Sequence, residues 1–224
     1  MQRPSTSILG ALLTAATLAL AAAGAWAQSP TAPAAAVRPD SRLAPDALVL
    51  ALSNQVLDAI RADKALQAGD PARLNRLIDE TIMPHVNFEK MTRLAVGRGW
   101  REATPAQREA LVREFRTLLV RTYSGAVSEV RDHRIVLRPF RMAPSDTDVI
   151  VRTSAVPSRG EPIHIDYRLE RTDAGWKIYD LNILGVWLVE SYRHSFAAEI
   201  GRGGVDGLIR ALAERNRAPD TKKA

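Results

Sequence analysis

The chain has no cysteine. Disulfide staples are therefore excluded, as is a lipid-modified N-terminal cysteine, and the fold must hold by burial alone. Aromatic residues are few, 5% of the total, so an apolar interior would be lined mainly by Leu, Ile, Val and Ala. Charge of one sign never accumulates. The 31 basic and 25 acidic residues are interspersed, the net charge is +6, and the densest basic cluster is Lys222-Lys223. Nucleic-acid binders concentrate their cations in a stripe or patch, and no such patch is visible. The mild excess reads as solubility, or as brief contact with anionic headgroups or an acidic partner.

Catalytic patterns are also missing. The four histidines, His85, His133, His164 and His194, are scattered, without the H-x-x-x-H spacing of a metal site. His194-Ser195 is a sequence neighbour pair, which is not how a nucleophile meets its base. There is no G-x-S-x-G and no G-x-x-x-x-G-K-[ST]. Gly97-Arg98-Gly99 and Gly201-Arg202-Gly203-Gly204 read as helix ends and turns. Neither catalytic nor metal-binding residues are assigned, and no cofactor is expected.

The N-terminus carries the clearest signal present. Arg3 precedes an apolar run from Ile8 to Ala25, which closes on Ala25-Trp26-Ala27. A basic start, an Ala-rich core and a small-x-small site describe a secretory signal peptide over residues 1–27, with Gln28 as the new N-terminus. The alternative is an uncleaved anchor, since the run is roughly 18 residues long. No later stretch approaches that length. An exported, cysteine-free chain of this size points to a bacterial periplasm.

Residues 28–45, with Pro30, Pro33, Pro39 and Pro45, form an Ala/Pro-rich linker expected to be disordered. Residues 46–215 form the folded unit, and 216–224 a polar tail. Apolar residues at Leu48, Leu52, Val56, Leu57 and Ile60 give a helix over 46–68. Asp70-Pro71 opens a second, to about Ile82, and Pro84 stops it. Short helices and turns follow to residue 103. Thr104-Pro105-Ala106-Gln107 is a capping box that starts a long helix to about Val130. The period then changes to two. Strands are predicted at 133–141, 147–156, 163–170 and 176–184, with turns at Pro157–Pro162 and Asp173-Ala174-Gly175. Two helices, Val186–Ile200 and Val205–Arg215, complete the chain. The predicted fold is α+β: helices packed on a curved four-stranded antiparallel sheet, cone-like and NTF2-like, around an apolar interior. Such a cone either fills with side chains or encloses a ligand cavity. Asp166 and Asp180, on neighbouring strands, make an acid–base pair conceivable, as in a proton-transfer enzyme of this architecture.

Several segments, in order, resemble one family. They are Ile82-Met83-Pro84-His85-Val86-Asn87-Phe88, Ala95-Val96-Gly97-Arg98-Gly99-Trp100 and Ala103-Thr104-Pro105-Ala106-Gln107-Arg108. Phe115, Leu119 and Tyr123 follow, then Gly175-Trp176-Lys177-Ile178-Tyr179-Asp180, Gly185-Val186 and Gly203-Gly204-Val205-Asp206-Gly207-Leu208. Across about 46–215 the chain is similar to the MlaC family, the periplasmic phospholipid-binding component of the Mla system, also called the toluene-tolerance family. The resemblance implies an apolar cavity for phospholipid acyl chains and no catalysis. It also implies monomeric shuttling between an outer-membrane MlaA-like lipoprotein complex and an inner-membrane ABC transporter with a membrane-anchored MlaD-like subunit. Relatives associated with hopanoid synthesis keep a terpenoid ligand open, and a non-catalytic interaction module remains the reading from another class.

Face assignment selects the cavity candidates. Val149, Val151, Ile165, Tyr167 and Leu169 lie on inward strand faces, with Leu181 and Ile183 on the last strand. Phe115, Leu119 and Tyr123 come from the long helix, and Val86, Phe88 and Met91 from the segment before it. Ordinary core packing is the alternative for each.

Overall fold

The structure is a computed structural model that describes residues 39–125 and 130–218. The predicted signal peptide and most of the predicted linker lie outside the described residues. The linker prediction nevertheless runs too far. Pro45 is buried and opens the first helix, and the Ser41 carbonyl already accepts a 2.8 Å hydrogen bond from the Trp176 amide. Gly175 makes that approach feasible. Its φ is +101°, and a Cβ there would overlap the Ser41 carbonyl.

Helix α1 spans Pro45–Ala62, α2 Lys64–Gln67 and α3 Pro71–Leu77. The Asp70 side chain caps α3 by accepting from the Arg73 amide, with Pro71 at the first helical position. The helix expected to continue to Ile82 instead widens into a π turn over Ile78–Ile82 and tightens into a 3-10 turn over Met83–His85. Pro84, lacking an N–H, cannot continue the α-helical ladder. α4 (Phe88–Val96) is capped by Asn87, and α5 spans Gly99–Glu102. α6 (Pro105–Tyr123) starts on the predicted Thr104–Gln107 capping box, with both hydrogen bonds present. It ends seven residues earlier than predicted, at a Ser124-Gly125 turn where the Ser124 hydroxyl bonds back to the Arg121 carbonyl.

The second half is an antiparallel meander, as its alternating pattern requires. β1 (Arg134–Leu137), β2 (Asp148–Val156), β3 (Ile163–Thr172) and β4 (Gly175–Ile183) pair in chain order. A fifth strand, β5 (Val186–Trp187), extends the expected four. Leu184 (φ +53°) and Gly185 (φ +90°) turn the chain back, so the predicted helix from Val186 begins instead at Leu188. The last helical stretch, α7 (Leu188–Arg217), is broken at non-helical Gly203 and Gly204 into two helical segments, as expected. The sheet does not close into a barrel.

Among the described residues, most buried apolar side chains fall into three clusters. Phe88, Met91, Phe115, Phe196 and Leu208 belong to a cluster of α4, α6 and α7. Leu48, Val49 and Leu52 of α1 pack on Val149, Val151, Leu169, Trp176 and Ile178 of the sheet. Ile60, Leu66, Leu74 and Leu77 join α1 to α2 and α3.

Candidate functional site

Strand register defines the inner face of the sheet. Val149 stands opposite Leu169, Val151 opposite Tyr167, and Thr153 opposite Ile165. Directly paired residues of an antiparallel ladder share a face. On the next strand Ile183 faces Ile165, and Leu181 faces Tyr167. Strict alternation would then place Ile178 on the opposite face. A bulge intervenes: β4 advances two residues, from Asp180 to Ile178, while β3 advances one, from Arg168 to Leu169. The extra residue returns Ile178 and Trp176 to the side of Leu181 and Ile183.

Burial along this face is graded. On β3, Ile163, Ile165 and Tyr167 are half-buried, whereas Leu169 is fully buried. On β4, Ile183 and Leu181 are half-buried, and Ile178 and Trp176 are buried. One end of the apolar face is thus left partly uncovered. Tyr167 marks the transition: it is half-buried, and burial pushes its phenol pKa up. Hydrogen bonding with Ser53 and Thr153 opposes that rise, and Asp166 adds to it.

The thirteen predicted residues do not all gather on one surface. The sheet set (Val149, Val151, Ile165, Tyr167, Leu169, Leu181 and Ile183) does share the inner face. Phe88, Met91 and Phe115 are buried in the helical cluster, and Leu119 packs at its margin. The Phe115 ring lies 5.0–5.7 Å from those of Phe88, Tyr192 and Phe196. Val86 touches both the helical and the sheet clusters. Tyr123 is the half-buried last residue of α6, its phenol raised first by burial and then by Tyr192. The candidate list missed α1, which supplies Leu48, Val49 and Leu52 against the sheet and Ser53 beside Tyr167. The helical spacing of Leu48, Leu52 and Val56 was the available signal.

The opposite face holds the charges in structural ties. Lys90 Nζ lies 2.7 Å from Glu170 Oε2 and 3.7 Å above the Tyr179 ring, and the Tyr179 hydroxyl donates to Asp148. Asp180, fully buried, accepts from the amides of Leu181 and Val189 and lies 3.2 Å from Arg168 Nη1. Burial raises its pKa, and those partners lower it. The Arg168 guanidinium in turn stacks 3.9 Å from the Trp187 ring. The register sets Asp180 against Arg168 and Asp166 against Asn182, and each carboxylate lies beside its own arginine, Asp180 beside Arg168 and Asp166 3.9 Å from Arg152 Nε. Among the described residues no group of three or more His, Asp or Glu could hold a metal, and no helix is long and apolar enough to cross a membrane. Two grooves of about 340 and 300 Å³ open on the surface, beside Trp100 and beside Trp187, and neither is lined by a predicted residue.

The arrangement matches known proteins at three levels. The family described as "MlaC protein" matches residues 51–214. The intermembrane phospholipid transport system binding protein MlaC of Haemophilus influenzae is 21% identical over 178 residues, 78% of this chain and 83% of that one. Toluene tolerance protein ttg2D of Pseudomonas putida is also 21% identical, over 79% of this chain and 85% of its own. The solved structure of a phospholipid-binding protein from Ralstonia solanacearum, in complex with a phospholipid, superposes with a TM-score of 0.74. It is 43% identical and covers 76% of this chain and 96% of that one. With an open antiparallel sheet, its helices and a family match over most of its length, the chain belongs to the MlaC protein family.

Proposed function

We propose that this protein is a carrier that holds a glycerophospholipid by its acyl chains. In this reading it is exported to the periplasm by residues 1–27. It acts as a monomer and passes lipid between an outer-membrane MlaA-like lipoprotein complex and an inner-membrane ABC transporter with its MlaD-like subunit, maintaining outer-membrane asymmetry. The observation that carries the reading is the phospholipid complex of the Ralstonia relative, which aligns over 96% of its own length and 76% of this chain. The local chemistry supports it. Ile163, Ile165, Leu181 and Ile183 leave an apolar surface partly uncovered between buried clusters, and the polar residues on the other side of the sheet are held in ties between elements.

Energetics favours enclosure of the tails. Two acyl chains with about 30 methylenes cost on the order of 24 kcal/mol to leave in water. A carrier must therefore cover both. Transfer from a membrane exchanges one apolar medium for another, so binding needs no catalysis and direction comes from partners.

Native mass spectrometry of the protein purified from a Gram-negative periplasm, followed by lipid extraction, tests the proposal. A bound diacyl phospholipid is the expected result. A hopanoid would keep the carrier and change its cargo. A bare mass with no uptake from vesicles overturns the reading in favour of an interaction module.

A further inference from the structure

Among the described residues the exposed large apolar side chains are Leu43, Leu184 and Val186, and two of the three sit on one hairpin. Leu184 is 67% exposed and Val186 53%. Leu184 and Gly185 join β4 to β5 with both residues at positive φ, a turn whose geometry favours Asn-Gly. A leucine there is disfavoured twice, by its backbone conformation and by the water around its side chain. An asparagine would serve the turn better, so the leucine answers to something outside the fold.

The hairpin's place in the sheet is informative. Val186 stands opposite Ile183, and Ile183 opposite Ile165. Paired residues share a face, so Val186 prolongs the half-buried row of Ile165 and Ile183 at the uncovered end, with Leu184 at the tip. Trp187 follows, half-buried, a residue type that settles where an apolar medium meets water. Charge selects no ionic partner. The segments that meet at this end, 131–134, 157–162 and 184–190, carry Arg131, Arg134 and Arg159 against Asp132, Glu161 and Glu190. Two side chains at a turn also fall far short of the roughly 800 Å² that each partner buries in a standard protein interface. The boundary of a bilayer asks for neither matched charge nor matched shape, only for apolar side chains that can enter it.

We propose that the Leu184–Val186 hairpin dips briefly into the surface of a phospholipid bilayer, joining the uncovered end of the inner face to the membrane by an apolar path. The inference rests on the carrier reading above. The test loads delipidated protein with fluorescent phosphatidylglycerol, checks occupancy by native mass spectrometry, and follows transfer to vesicles of phosphatidylethanolamine and phosphatidylglycerol that carry a quencher. For wild type the transfer rate should rise in proportion to vesicle concentration and change little with salt. Leu184→Asn, which suits the turn, should slow transfer about tenfold with occupancy retained, and Val186→Ser about threefold. Leu43→Asn removes the remaining exposed apolar side chain, two residues from Ser41 at the other end of β4, and should leave the rate unchanged. A rate independent of vesicle concentration overturns the proposal and leaves the carrier reading intact. So does an undiminished rate in loaded Leu184→Asn and Val186→Ser, or an equal loss in Leu43→Asn; a protein partner then covers the hairpin. Wild type that takes up no labelled lipid overturns both.

Discussion

The helical cluster and the inner sheet face are built from the same kinds of residue and end in different states. Around Phe115, the rings of Phe88, Tyr192 and Phe196 close on one another, and Phe115 is fully buried. Around Tyr167, the neighbours Ile165, Leu181 and Ile183 remain half-buried although they face inward. Helices meeting helices can interdigitate until no gap is left. A bulged sheet face covered by α1 and by Val86, Phe140 and Met142 from other segments is left partly open at one end. Apolar surface that the fold itself covers stabilises the protein. Apolar surface that it leaves uncovered is available to a ligand.

Substitutions that strike one side only should separate the two regions. Phe115→Ala removes a ring from the closed cluster and should cost about 3–5 kcal/mol in urea unfolding, with whatever lipid selectivity the folded fraction has unchanged. A loss below about 1 kcal/mol would mean that the cluster is as loosely packed as the sheet face. Ile165→Arg should do the reverse. It places a cation on the half-covered face, where the folded protein can expose it and an acyl chain cannot accept it. Lipid occupancy in native mass spectrometry should drop about tenfold or more, with stability changed by less than about 1 kcal/mol. Val151→Trp is not an equivalent probe. Val151 has no exposed surface, and overpacking there should cost about 1–3 kcal/mol before any ligand is involved.

Asp180 joins the regions, since it ties β4 to β3 through Arg168 and to the first turn of α7 through the Val189 amide. Asp180→Asn keeps an acceptor oxygen and loses the charge, and should cost about 1–2 kcal/mol. Its pH signature is more specific. The folded-state pKa is raised above the ordinary 3.8, so the stabilising contribution of this group is fully present below pH 3.8 and is lost as pH rises through the raised value. The urea midpoint of wild type relative to the Asn variant should fall as pH rises from about 3 through the raised value. The smallest effect is expected at the hairpin. Leu184 is 67% exposed at φ +53°, a conformation that a Leu adopts at a cost and an Asn tolerates. Leu184→Asn should raise stability by about 0.5–1 kcal/mol, seen as a higher melting temperature.

Part of the molecule was legible because its determinants are local. Thr104 and Gln107 cap α6 as their spacing requires, and Asp70-Pro71 opens α3. The alternation of Ile163, Ile165, Tyr167 and Leu169 against polar neighbours named the inner residues of β3, and the register agrees. Other features were not legible, because each depends on a residue far away in the chain. Gly175 reads as a turn glycine, yet its lack of a Cβ also admits Ser41, a segment taken for linker. Phe88, Met91 and Phe115 carry the same apolar signal as the sheet residues, and only the packing of α4 and α6 against α7 assigns them to a closed core.

The sequence alone determined the order and type of most elements, the α+β class and the family, since caps, periods and motifs act over a few residues. Tertiary structure decided which apolar residues close on themselves and which stay partly open. The bulge between Asp180 and Ile178 shows why. It shifts one residue out of register and returns Ile178 to the face of Leu181, which a period of two cannot foresee. Which surface is left for a ligand depends on how neighbouring elements meet, and burial is a property of that meeting rather than of any residue within it.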